Sequence, residues 1–189
     1  MERRGGGGFT LVELLLALAV GLVVSGLLLQ ALLGEERISQ RLGRHWREKG
    51  NQRRALELIR AELRQAQSVA TALPGSGAAC GLAGRRVVLH LDLGPALRPV
   101  TYSVGAAPSG IWRGAVLMRC GPAFGLDGST SSGAALNRVL LDGLAADDGF
   151  TASPIGDGVL RLQLRQEFPG GPGGGGVQRI ASEAMAVGG

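Results

Sequence analysis

The chain has 189 residues and a mass of 19.4 kDa, a length that suits one domain or one domain with an appendage. Hydrophobic residues make up 45%, which excludes wholesale disorder, and two Cys with two His exclude a multi-cysteine zinc module. The net charge of +5 is unevenly spread: residues 1–67 hold 11 basic and 7 acidic side chains, residues 68–189 hold 9 and 8, and the surplus gives nucleic acid as a partner no support of its own.

The sequence opens on Met1-Glu2-Arg3-Arg4-Gly5-Gly6-Gly7-Gly8. From Phe9 to Leu33 the only charge is Glu13, and the only other clearly polar residues are Thr10, Ser25 and Gln30. A helix needs about 20 apolar residues to cross a hydrocarbon core of about 30 Å, so Leu14–Leu33 is long enough to span. Arg3 and Arg4 ahead of it predict an N-terminus held in the cytoplasm and a C-terminal part sent across, a single pass through the cytoplasmic (inner) membrane. A cleaved secretory signal has an apolar core of only about 7–15 residues and a small-residue cleavage site. Gln30-Ala31-Leu32-Leu33-Gly34-Glu35 offers no such site. Glu13, alone at the head of the apolar run, fits neither an ordinary signal nor an ordinary anchor.

Gly8-Phe9-Thr10-Leu11-Val12-Glu13, after a short basic leader and ahead of a long apolar run, resembles the class III signal of type IV pilins and type II secretion pseudopilins. The resemblance covers the leader and the apolar run, and it requires the Gly, the Phe, the Glu and the uninterrupted helix together. It implies that a prepilin peptidase cuts the Gly8–Phe9 bond and methylates the new amine of Phe9. It also implies that Glu13 pairs with such an amine, in a filament that of the adjoining subunit, and so sets register during assembly. A carboxylate inside the bilayer costs about 2.5–3.5 kcal/mol on insertion scales, so it persists where it has a partner or stays neutral.

Beyond the span, nothing up to Ser68 forbids a continuous helix, since the first Pro is Pro74. Ile38, Leu42, Trp46 and later Leu56, Ile59, Leu63 and Ala66 recur at spacings of three and four, the apolar stripe of an amphipathic continuation. Arg37, Arg41, Arg44, Arg47, Arg53, Arg54, Arg60 and Arg64 fall largely off that stripe. Glu48, Glu57 and Glu62 stand at helical spacing to pair with them, and the run reads as a solvated face rather than a nucleic-acid site. Gly43 and Gly50-Asn51 are places where the helix could bend. The run Arg54–Ala66 resembles the helix end of minor pilins of the PilW type and of pseudopilins of the GspJ type. Many pilins carry a Pro within the membrane helix; here stand Gly21, Gly26 and Gly34 instead.

From Pro74 the texture changes to short apolar segments between Gly, Pro, Ser and Asp. Val87, Leu89, Leu91 and Leu93 alternate onto one face of a strand, and Val100, Tyr102 and Val104 repeat the pattern. Ile111–Cys120, Arg138–Leu144, Val159–Phe168 and Val177–Val187 are further strand candidates, while Gly121–Ala135 and Pro169–Gly176 read as loops. Strands joined by short loops predict a mainly antiparallel sheet whose apolar face the amphipathic helix covers. The pilin resemblance implies the same α+β fold. The predicted organisation is a leader over 1–8, a transmembrane assembly helix over 9–33, its amphipathic continuation over 34–70 and a β-rich domain over 71–189.

Cys80 and Cys120 both follow the span, so the topology puts them in an oxidising compartment, where an even count predicts a disulfide. His90 and Asp92 share the more polar face of one strand; with no nucleophile placed beside them they read as a solvent-facing pair rather than a catalytic base and carboxylate. His45 reads as a packing or surface residue, and Trp46 and Trp112 as core or interface anchors. The motifs G-x-S-x-G, G-x-x-x-x-G-K-[ST] and H-E-x-x-H are absent, and no residue is assigned to catalysis, a cofactor or a metal. Two function classes compete. One is a structural subunit, either a minor pilin assembled into or at the tip of a type IV pilus or a type II secretion pseudopilin, whose partners are the prepilin peptidase and other pilins or pseudopilins. The other is a membrane-anchored periplasmic binding module whose positive charge meets an acidic ligand such as DNA. Only the first accounts for Glu13 and the leader.

Overall fold

The computed structural model describes residues 10–74, 78–125, 128–156, 158–169 and 176–188, and of residues 31–41 the backbone alone. Helix α1, Leu11–Leu63, is followed by strands β1 (Ser68–Ala70), β2 (Arg86–Asp92), β3 (Val100–Ala106), β4 (Ala115–Gly121), β5 (Leu136–Leu144), β6 (Phe150–Gly156), β7 (Val159–Pro169) and β8 (Val177–Val187). The fold is α+β and pilin-like, a long N-terminal helix followed by an antiparallel sheet. The chain divides into two compact units, Met1–Arg44 and His45–Gly189, and α1 contributes to both.

In the first unit, Leu11–Gln30 is long and apolar enough to cross a membrane. Its large side chains are exposed all round, Leu14, Leu18, Leu22 and Leu29 among them, as a segment made for an apolar surrounding requires.

In the second unit, the buried face of α1 is Glu48, Gln52, Ala55, Leu56, Ile59, Glu62 and Leu63. The predicted stripe holds at Leu56, Ile59, Leu63 and Ala66 but not before. Leu42 is exposed, and Trp46 is 71% exposed. At 3.6 residues per turn, the thirteen residues from Trp46 to Ile59 put Trp46 about 140° round the helix from the fully buried Ile59, off the buried face. Neither Gly43 nor Gly50-Asn51 interrupts the helix. At its end the backbone tightens: Gln65 N–H donates to the Glu62 carbonyl (3.0 Å) and Ala66 N–H to that of Leu63 (3.2 Å). Gln67 N–H then crosses to the Asp92 carbonyl (2.7 Å), which brings the chain to the edge of β2.

The strands β1 to β5 form an antiparallel meander in sequence order. β5 meets β7 at Leu144↔Gln166, and β7 lies between β6 and β8, with Leu164 opposite both Phe150 and Ser182. Ile59 and Leu63 of α1 pack with Leu89, Leu91, Tyr102, Leu117, Phe150, Leu162 and Leu164, all at 0% exposure, in one core. Burying each large apolar side chain contributes about 1.5–3 kcal/mol, so this helix face is integral to the domain. Strands β1 and β6 were not legible in the sequence: β1 is three residues long, and β6 contains Pro154 and leaves its second half exposed. β4 begins only at Ala115, because Gly114 turns the chain with φ +56°. Of the predicted loops, Gly121–Ala135 carries one bridge, Phe124↔Thr130, with 126–127 outside the described residues. Pro169 closes β7, and 170–175 also lie outside the described residues.

Candidate processing and assembly site

Gly8 and Phe9 lie outside the described residues. From Thr10 onward the chain is tied into the first turn of α1. Glu13 N–H donates to Thr10 Oγ1 (3.3 Å), while Glu13 Oε2 accepts from both the Thr10 N–H and its hydroxyl, each at 3.0 Å. These are the reciprocal bonds of a capping box, in which Thr or Ser at the N-cap and Glu or Gln three residues on satisfy each other's backbone donors. Thr10-Leu11-Val12-Glu13 spells that motif in the sequence, so Glu13 caps the helix as well as carrying a charge. The cap holds the carboxylate on the amide that joins Phe9 to Thr10, one residue from the nitrogen that cleavage after Gly8 would turn into an amine.

Residues 3–29 match the family model of the prokaryotic N-terminal methylation motif. The chain carries the N-terminal signature of the type IV pilin-like family. No curated protein and no solved structure matches it. The matched residues take in Arg3, Arg4, Gly8, Phe9, Glu13 and most of the apolar run, and the match supports a pilin-like precursor of the kind that a prepilin peptidase processes. With the apolar helix, it fits a membrane-anchored pilin-like protein.

The globular unit is locked to its own stretch of helix by three polar clamps. At one end Arg113 donates to Glu48 (3.1 Å) and, through both side chain and backbone, to Asp142, while its guanidinium lies 4.9 Å over the Phe168 ring. Gly143 leaves room for that ring: a Cβ there would meet it at 2.8 Å, and the φ of +65° suits glycine. Burial pushes the Asp142 carboxyl up, but its hydrogen bonds from Arg113 outweigh this and hold it below the ordinary value. In the middle, Gln52 donates to Gln166 (2.8 Å) and to the Ile180 carbonyl (3.1 Å) and accepts from the Ser182 hydroxyl (2.6 Å). At the far end Arg119 donates twice to Glu62 Oε1 (2.8 and 2.6 Å) and once to the Pro122 carbonyl (2.9 Å), and the Tyr102 hydroxyl donates to Glu62 Oε2. Burial first, and then the Glu62 carboxylate, push the Tyr102 phenol well above its ordinary pKa, so it stays a donor.

Two of the three glutamates expected to pair with arginines along the helix therefore do something else. Only Glu57 bonds locally, to Arg53 (2.9 Å), while Glu48 and Glu62 turn inward to the sheet. The charges they meet, Arg113 and Arg119, are remote in sequence.

His90 corrects a second expectation. It is 6% exposed, not solvent-facing, and shares a 2.8 Å hydrogen bond with Thr101. His90, Thr101 and Cys120 stand in cross-strand register on the sheet face opposite Tyr102 and Arg119. Cys80 is disulfide-bonded to Cys120, and the Gly81 carbonyl accepts from Asn137 (3.0 Å). The β1–β2 connection must therefore cross this face, and it takes His90 out of water. Asp92 remains exposed and accepts the Gly94 N–H (2.9 Å), a local turn contact rather than a partnership with His90. His45 is half-buried, and Trp112, 36% exposed beside the 80%-exposed Ile111, is no part of the core. Among the described residues no three or more His, Cys, Asp or Glu are grouped to hold a metal.

Burial holds the His90 imidazole below its ordinary value of 6.5, against the opposing pull of Asp92. The unfolded chain therefore takes up the proton first as pH falls, and stability is lost from the ordinary value downward to the depressed one. Melting of the full chain in detergent should show Tm falling between pH 7.5 and 5.5, and a flatter profile for His90→Gln. Parallel profiles would assign the pH dependence to other groups.

Proposed function

We propose that this chain is a structural, non-enzymatic minor subunit of a type IV pilus, built into or at the tip of the filament. Residues 1–8 are its leader, 9–33 the transmembrane and assembly helix, 34–70 the amphipathic continuation and 71–189 the β-rich domain, which lies outside the cytoplasmic membrane. The prepilin peptidase cuts Gly8–Phe9 and methylates Phe9, and Glu13 then pairs with the amine of an adjoining subunit. The observation that carries this reading is the methylation motif at residues 3–29, with its glutamate at the head of a membrane-length helix. The Cys80–Cys120 disulfide supports an oxidising compartment for the domain.

Intact-mass spectrometry of sheared surface filaments tests it. The expected species begins at a methylated Phe9; filament-associated protein that retains Arg3 and Arg4 overturns the processing. Recovery of the mature chain only from the cell envelope, beside a secretion apparatus, would favour a pseudopilin. In the same fractions Glu13→Gln separates two roles, because Gln also serves in a capping box but carries no charge. The variant should insert and be cleaved as the parent is, while its share in filaments falls roughly tenfold, the equivalent of about 1.4 kcal/mol. Equal incorporation would show that this charge does not direct assembly.

A further inference from the structure

The inward turn of Glu48 and Glu62 leaves the outside of α1 with an unbalanced charge. Trp46, Lys49, Arg53, Glu57, Arg60 and Arg64 follow one another at spacings of three and four, so they form a single ridge on the helix surface. All six are exposed: Trp46 by 71%, the side chain of Arg53 by 82% and that of Glu57 by 56%. The ridge carries four cations and one acid. Glu57 is bonded to Arg53, and Lys49, Arg60 and Arg64 have no side-chain partner among the described residues. We infer that this ridge is the docking surface for an acidic helix of a different subunit of the same filament, an inference that rests on the filament reading above.

Charge decides the kind of partner. Among the described residues of the globular unit, Glu48, Glu57, Glu62, Asp142, Asp148, Glu167 and Glu183 are each paired with an arginine of this chain. Of its other described acids, Asp92 is taken up by the Gly94 N–H, and Asp147 is exposed, with its backbone carbonyl accepting from Arg86 (3.3 Å). Among the described residues of the globular unit a second copy thus offers only Asp92 and Asp147 as acids without an arginine at their carboxylates, and ridge against ridge sets cation against cation, which suppresses self-association. A nucleic-acid backbone suits an unbroken row of cations, whereas here a carboxylate sits in the middle and a bare indole at one end. Trp and Arg are the residues that most often dominate protein–protein contacts, and a helix with acids at spacings of three and four matches the ridge while leaving Arg53 and Glu57 paired.

A photo-reactive benzoylphenylalanine in place of Arg60, in the full chain expressed in its own cell, reads the neighbour directly. The expected adduct, in membranes and in sheared filaments, joins this chain to a different prepilin-class subunit through a segment rich in Asp and Glu. Arg60→Glu combined with Arg64→Glu should leave processing and the disulfide intact but lower the adduct and the filament share by about tenfold or more. Reversing the acids of the cross-linked segment to Arg should restore both, and Arg60→Lys with Arg64→Lys should keep most of the parent's share. Adducts formed only with a second copy, with lipid or with nucleic acid overturn the inference, as does unchanged incorporation of the charge-reversed variant. Absence of the parent from filaments overturns the filament reading instead, and the membrane-fraction adduct still tests the ridge on its own.

Discussion

Replacing Glu62 by Ala is expected to destabilise the globular unit by about 3–5 kcal/mol, the usual consequence of removing one partner from a buried ion pair. Arg119 is 2% exposed, and without Glu62 it keeps, among the described residues, only the Pro122 carbonyl and the Phe124 face, 4.9 Å from the ring centroid. Neither neutralises its charge, and the Tyr102 hydroxyl loses its acceptor as well. A domain of this size is stable by only about 5–15 kcal/mol, so the loss is a large fraction of the whole. Tyr102→Phe leaves the ion pair in place and should cost only about 1–3 kcal/mol, the penalty for one unmet hydrogen bond. Exchanging both charges, Glu62→Leu with Arg119→Leu, should cost less than Glu62→Ala, because no charge is left buried alone. Denaturant titration of the full chain in detergent gives all three values. A Glu62→Ala variant as stable as the parent would show that water reaches Arg119, and that the clamp does not hold helix to sheet.

The inward glutamates show where sequence reading stops. Arg60 and Arg64 stand two residues from Glu62, off its side of the helix, and the residues three and four away are Leu58, Ile59, Gln65 and Ala66, so Glu62 has no local cation to meet, yet no neighbour in that run says that it turns inward to β4. Helical phase could have said it: counting back from Ile59 in steps of seven and four reaches Gln52 and Glu48, and three forward is Glu62. By that count a polar set shares the face of the apolar one. The strands Arg86–Asp92, Val100–Ala106 and Val159–Pro169 were legible because their apolar residues alternate, and the start of the chain because its motif is linear. β6 was not, since its pairing depends on the hairpin to β7 rather than on its own pattern. The face holding His90 was not legible either. Alternation marks it as the polar side of β2, and only a long-range bond carries another piece of chain across it.

That bond sets the second large effect. Cys80–Cys120, with a sequence separation of 40, should contribute about 4 kcal/mol by restricting the unfolded chain. Its loss should also loosen the folded state in one place. Among the described residues the crossing connection would keep the Asn137 bond to Gly81 as its side-chain anchor to the sheet, so water would reach His90, Thr101 and Met118, now buried. The imidazole would then return toward its ordinary value. Two measurements on the full chain in detergent separate these consequences. Reduction of the parent, or Cys80→Ala with Cys120→Ala, should lower the unfolding free energy at pH 7.5 by several kcal/mol, as the chain-entropy account requires. The difference in stability between pH 7.5 and 5.5 should shrink at the same time, because His90 no longer resists its proton. A reduced protein that loses stability but keeps the full pH dependence would mean that the connection stays on the sheet without its covalent tie, and that the disulfide acts on the unfolded chain alone.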